Sequence, residues 1–106
     1  MSSTNSAAMF AGALELRKAG KLVEAADIVR RLARAEPRNA DLLLNLGFVL
    51  NQMGALQEGE QVLRRALNLK PGLPQIRQAL AINLMAQGQY PEGWALYESR
   101  HDAPSS

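Results

Sequence analysis

The 106-residue chain contains no cysteine, which excludes disulfides, thiolate metal sites and thiol chemistry. Histidine is nearly absent too. His101 stands alone at the expected fraying end of the last helix, with no cysteine or coupled serine to support it, and a solvated role is expected. The acidic residues Glu15, Glu24, Asp27, Glu36, Glu58, Glu60, Glu92 and Glu98 are dispersed, with no spacing that builds a metal site. There is no glycine-rich phosphate loop. Catalysis, a cofactor and a bound metal are therefore not expected. Charge of one sign is also scarce: 12 basic against 10 acidic residues leave a net +2, which demands neither nucleic acid nor an anionic membrane as partner. Long hydrophobic runs are missing, because the greasiest stretch, LLLNLGFVL, is short and carries Asn45, well below a membrane span. The N-terminal MSSTNSAAMF lacks the basic and apolar regions of a signal peptide, so a cytoplasmic setting is expected. Aromatics make up 5% of the chain against 47% hydrophobic residues overall, so the core must be built from Leu, Ala, Val and Ile, which suits closely packed helices.

What is present is a period. Gly20, Gly54 and Gly88 are 34 residues apart, as are Pro37 and Pro71, and Leu22, Leu56 and Tyr90. The pair Arg30-Arg31 recurs as Arg64-Arg65 at the same spacing. Self-similarity of this length marks a stack of supersecondary units. Each unit reads as two helices. The apolar residues of ADLLLNLGFVLNQMG fit three to four helical turns, stopped by Gly54 in a left-handed conformation. ALQEGEQVLRRALNLKPG follows as an amphipathic helix, ended by Pro71 because the residue before a proline is pushed out of the helical region. Pro74 and Pro91 fall near helix starts, where a missing N–H is harmless. No stretch alternates with period two, so strands are not expected. The pattern predicts six helices over roughly 6–18, 22–35, 40–53, 56–69, 74–87 and 91–101. Residues 1–5 and 102–106 are expected to be disordered, flanking one all-α domain over 6–101 with repeats at about 6–39, 40–73 and 74–101.

The chain resembles the tetratricopeptide repeat (TPR) family, whose pattern is W-x2-L-G-x2-Y, then A-x3-F, then P. The middle repeat matches with Leu43, Leu46-Gly47, Leu50, Gly59, Leu63 and Pro71. The first matches with Met9, Gly12-Ala13, Leu16, Ala25, Val29 and Pro37, and the third with Leu80-Ala81, Leu84, Gly93 and Tyr97. Arg77 departs from the pattern, standing where an aromatic is usual. The resemblance implies a right-handed superhelical stack of three antiparallel helix pairs. It also implies that the small residues Ala25, Gly47, Gly59, Ala81 and Gly93 sit where helices cross.

In that family the first helix of each pair lines a concave groove. The corresponding positions are Ala7, Phe10, Leu14, Arg17 and Lys18, then Asp41, Leu44, Phe48, Asn51 and Gln52, then Gln75, Gln78, Ile82, Met85 and Ala86. The expected apolar anchors are Phe10, Leu14, Leu44, Phe48, Ile82 and Met85, with Lys18, Asn51, Gln52 and Gln78 as polar rim. Helix 40–53 supports this independently, since its apolar residues go round the whole circumference and something should cover what its neighbours leave bare. A docked peptide or helix of a partner protein is one cover. Phe48 and Leu44 leaning onto neighbouring helices is the other. The basic clamp by which some TPR domains hold a C-terminal carboxylate is broken here. Only Asn45 matches it, and Asn45 serves equally well to bridge backbone groups. Arg30, Arg31, Arg34, Arg64 and Arg65 fall on the second helices, where they complement the helix dipole. A nucleic-acid ridge would need stacking aromatics that the sequence does not place beside them.

The last helix raises its own question. Tyr90, Trp94 and Tyr97 are spent where little chain remains to cover them, and a terminal repeat needs a polar outer face. Three covers are open: a continuing array of which this chain is a piece, a second copy forming a homodimer through the C-terminal helix, or folding back onto the third repeat. EGWALYESRH also looks like the final repeats of bacterial TPR proteins that continue into a glycosyltransferase-like domain, which implies an assembly or regulatory segment of a larger protein.

Overall fold

A computed structural model describes residues 2–99, with side chains from Ser6 onward. Six helices follow in order: α1 (Ser2–Lys18), α2 (Leu22–Ala35), α3 (Ala40–Met53), α4 (Leu56–Leu69), α5 (Pro74–Ala86) and α6 (Tyr90–Ser99). They stack as three antiparallel pairs, each helix packed on the next, with α3 also touching α5. Among the described residues there is no strand, and no helix is long and apolar enough to cross a membrane. The start of α1 differs from the sequence expectation. Residues 2–5, expected to be disordered, continue the helix; Ser-Ser-Thr-Asn holds neither the proline nor the glycine that would interrupt it. The expected last turn to residue 101, His101 and the tail 102–106 lie outside the described residues.

The boundaries repeat with the sequence. Gly20, Gly54 and Gly88 have φ of 83°, 82° and 86°, the left-handed conformation that ends a first helix. The residue after each glycine then donates its N–H to a carbonyl five residues back: Lys21 to Leu16, Ala55 to Leu50 and Gln89 to Leu84, at 2.8, 2.9 and 2.8 Å. These carbonyls would otherwise be orphans of the helix end. The second helices end differently. Glu36 and Lys70, each before a proline, leave the helical region, with ψ values of 71° and 76°. The Asn39 side chain then caps α3 by accepting from the Leu42 N–H at 3.2 Å.

The core runs along the stack as Val29, Leu43, Val49, Leu50, Leu63, Ile76, Leu80 and Leu84, all fully buried. Helix α3 is enclosed by α2, α4 and α5 and buries eight residues, leaving one strip bare. Small residues set the crossings. A side-chain carbon on Gly47 would collide with Leu63, and one on Gly93 would come within 2.8 Å of Met85 Cγ and 3.1 Å of the Ala81 carbonyl.

Candidate binding groove and the surfaces around it

Equivalent positions in successive repeats line up across α1, α3 and α5. Leu14, Phe48 and Ile82 are each 34 residues apart and make one row; Lys18, Gln52 and Ala86 make the next. Along the first row Leu14 and Phe48 are half-buried and Ile82 is 48% exposed. Phe10 and Met85 are also half-buried, while Lys18, Gln52 and Gln78 are exposed. Leu44, expected among the anchors, is only 8% exposed and belongs to the core, because α3 rolls that edge toward its neighbours. The expected alternative for Asn45 is what the geometry shows: its Nδ2 donates to the Asp41 carbonyl at 2.9 Å, within its own helix.

At the C-terminal ends of these helices, Arg17, Lys18, Phe48 and Gln52 line one open depression of about 440 Å³. The Arg17 guanidinium lies 5.9 Å from the centroid of the Phe48 ring, a cation–π contact that ties α1 to α3. Lys18 pairs with Glu15 at 3.6 Å, both well exposed.

Asn51 was expected on the groove rim, but its amide is used inside the stack. Its Nδ2 donates to the Ala79 carbonyl at 3.3 Å, and its Oδ1 accepts from Asn83 Nδ2 at 2.7 Å. Asn83 has no exposed surface and stands where the middle repeat has Val49. The same Asn83 Nδ2 donates to the Leu56 carbonyl at 2.9 Å, and Gln87 Nε2 donates to Asn83 Oδ1 at 2.6 Å and to Glu60 Oε1 at 2.9 Å. Gly59 leaves room for this network: a Cβ there would sit 2.8 Å from Asn51 Oδ1 and 3.0 Å from Asn83 Nδ2. Every buried polar side-chain atom among the described residues is satisfied, the condition under which a buried network stabilises one packing over others. The sequence reading missed Asn83. Its only signal was a lone amide among apolar neighbours.

On the convex side the arginines form a ladder. Arg30 reaches Glu58 on the next repeat with bonds of 3.0 and 3.2 Å, and Arg64 reaches Glu92 at 2.9 Å, the same pair shifted by 34 residues. Arg30 also holds Asp27 at 3.0 Å, and Arg64 holds Glu60 at 2.8 Å. The hydrogen bond to Glu58 raises the Arg30 pKa, and those to Glu60 and then Glu92 raise that of Arg64. The Gln87 amide, followed by Arg64, lowers that of Glu60. Arg31, Arg34 and Arg65 remain exposed. Arg77, in the slot where an aromatic was expected, donates to the Ser99 carbonyl at 3.2 Å and so ties the start of α5 to the end of α6.

At the end of the stack, Trp94 and Tyr97 meet edge to face, with centroids 5.7 Å apart and planes at 81°. Tyr97 is half-buried, whereas Trp94 and Tyr90 are 52% and 57% exposed.

Solved structures share this architecture. The chain superposes on MamA AMB-1 with a TM-score of 0.84 at 21% identity, covering 95% of this chain and 60% of that one. It superposes on the globular C-terminal domain of P. aeruginosa LpoP with a TM-score of 0.82 at 26% identity, covering 90% of this chain and 93% of that domain. The chain thus spans about three fifths of the MamA chain. Comparison with curated protein sequences gives no match. The tetratricopeptide repeat model matches residues 16–82, more than half of the sequence, from the end of α1 into α5, and the chain belongs to the tetratricopeptide repeat family.

Proposed function

We propose that this chain is a non-enzymatic protein-interaction module whose concave groove takes a peptide or helix of a partner protein. The observation that carries the reading is the Leu14–Phe48–Ile82 row. Among the described residues it is an apolar strip running across all three first helices that their neighbours leave partly bare, with Phe10 and Met85 beside it. An amphipathic segment laid along it would remove apolar surface from water at about 25 cal/mol per Å². Lys18, Gln52 and Gln78 would set register from the rim, while Asn51 supports the groove from below through its bonds to α5. The TPR membership and the likeness to MamA and LpoP support the scaffold, a fold that fits many partners. Phe48→Asp tests the reading on peptides selected by display against the wild-type chain. Binding should fall at least tenfold while helicity by circular dichroism is kept, since a half-buried charge against apolar anchors costs more than about 1.4 kcal/mol. Unfolding of the variant would instead make Phe48 a core residue and sink the groove.

A second reading is favoured by the exposure of Trp94 and Tyr90: assembly through α6, either with a second copy or with a further domain of a longer protein such as a glycosyltransferase. Light scattering over a concentration series reads the first of these directly.

A further inference from the structure

Among the described residues four arginines are half-buried: Arg17, Arg30, Arg64 and Arg77. Arg30 and Arg64 each hold two carboxylates, and Arg77 holds the Ser99 carbonyl. Among the described residues, Arg17 alone of the four has no acceptor for its N–H groups; its contact is the face of Phe48. A cation–π contact draws on the charge of the guanidinium and consumes none of its N–H donors, whose fork geometry matches a carboxylate. Lys18 stands beside it in the same depression, held only by an exposed pair with Glu15 that an incoming anion can replace at little cost. Gln52 adds an amide, and Phe48 forms the floor. Arg17 and Lys18 against Glu15 leave one net positive charge there, which the C-terminal end of α1 offsets only in part.

Resting on the groove reading, we propose that the occupant is an acidic amphipathic segment of a partner protein. One Asp or Glu carboxylate of that segment sits on Arg17 and Lys18, next to Gln52, and its apolar face lies on the Leu14–Phe48–Ile82 row. Among the groove positions the positive charge lies at one edge, with Asp41 toward the other, so it also fixes which way the segment runs. The floor of the charge site and the middle of the apolar row are the same residue, Phe48, so the carboxylate must lie within about one helical turn of an apolar anchor.

The test is selection of a random 16-residue peptide library on the full chain, followed by fluorescence anisotropy with the synthesised winners. The expected result is enrichment of sequences with a carboxylate three or four residues from a Leu, Ile, Met or Phe. Their affinity should fall about tenfold with Arg17→Gln, about tenfold with Glu→Gln in the peptide, and no further when both changes are combined. Arg17→Lys should recover part of the loss, and added salt should weaken the wild-type complex more than the variant one. Winners that depend on Phe48 but carry no acid and ignore Arg17→Gln would overturn this proposal and leave the groove standing. Winners indifferent to Phe48→Asp, or no winners at all, would overturn both.

Discussion

Helices α4 and α6 hold the same place in successive repeats, and their fates differ. Gly59 and Gly93 both sit at tight crossings, and Glu58 and Glu92 both receive an arginine from the repeat before. Val62 and Leu63 of α4 are buried, however, whereas Leu96 and Tyr97 at the equivalent positions are only half-buried. In α6 only Gly93 is fully enclosed. The pattern that specifies a second helix is thus shared, but burial comes from having a helix on each side: α4 lies between α3 and α5, whereas among the described residues α6 packs mainly on α5, with the Arg64–Glu92 pair reaching it from α4. In a solenoid, stability is close to a sum of repeat terms and nearest-neighbour interfaces, so an end helix holds about half of what a middle one does.

Breaking one equivalent pair of positions gives the largest effect. Leu63→Ala should cost about 3–4 kcal/mol, as expected for a fully buried leucine in a site that cannot collapse around Gly47. Leu96→Ala should cost about 1–2 kcal/mol, scaled to partial burial. Urea unfolding of both variants with the slope held as a check measures the difference. Equal losses would mean that α6 is covered in solution.

That outcome leads to the next prediction, a smaller one. If a second copy covers α6, Trp94→Ala should weaken dimerisation about tenfold, as loss of one large buried aromatic implies, and leave groove binding unchanged. Light scattering of wild type and variant from micromolar to millimolar chain resolves it. A wild type that stays monomeric throughout would remove the homodimer and leave a partner domain as the cover for Trp94 and Tyr90.

Helix boundaries were legible because each is set locally. A glycine at positive φ closes each first helix, and a proline ends each of the first two second helices, so Gly54 and Pro71 carry their meaning in their own backbone. The half-exposed row was legible through the repeat register, which aligns Leu14, Phe48 and Ile82. Leu44 was not, because whether a residue at the margin of a stripe faces the groove or the core depends on the roll of α3, which packing decides. Nor was the Asn51–Asn83 pair: its members lie 32 residues apart on different helices, a spacing that belongs to no single-helix period. The ladder was half-visible. Arg30 and Arg64 stood out at the repeat spacing, and their partners Glu58 and Glu92 have the same spacing among scattered acids.

The smallest effect separates the interface on the α4 side of α5 from the one on its α6 side. Glu60 joins the two polar systems, accepting from Gln87 on the buried side and from Arg64 on the surface side. Its pKa lies below the ordinary 4.5 because both donors favour the charged form, the Gln87 bond most. A carboxylate depressed on folding contributes stability that is fully present above its unfolded pKa and is lost as pH falls through the folded one. Wild type should therefore exceed Glu60→Gln in stability by no more than about 1 kcal/mol at pH 7, and the gap should close as pH falls below 4.5. Glu92, joined to Arg64 alone and with no buried amide behind it, offers no such second anchor. A gap that persisted unchanged however far the pH fell below 4.5 would mean that the Glu60 carboxyl acts through shape and not through charge. The Asn83 network would then hold α5 on α4 without help from the surface ladder.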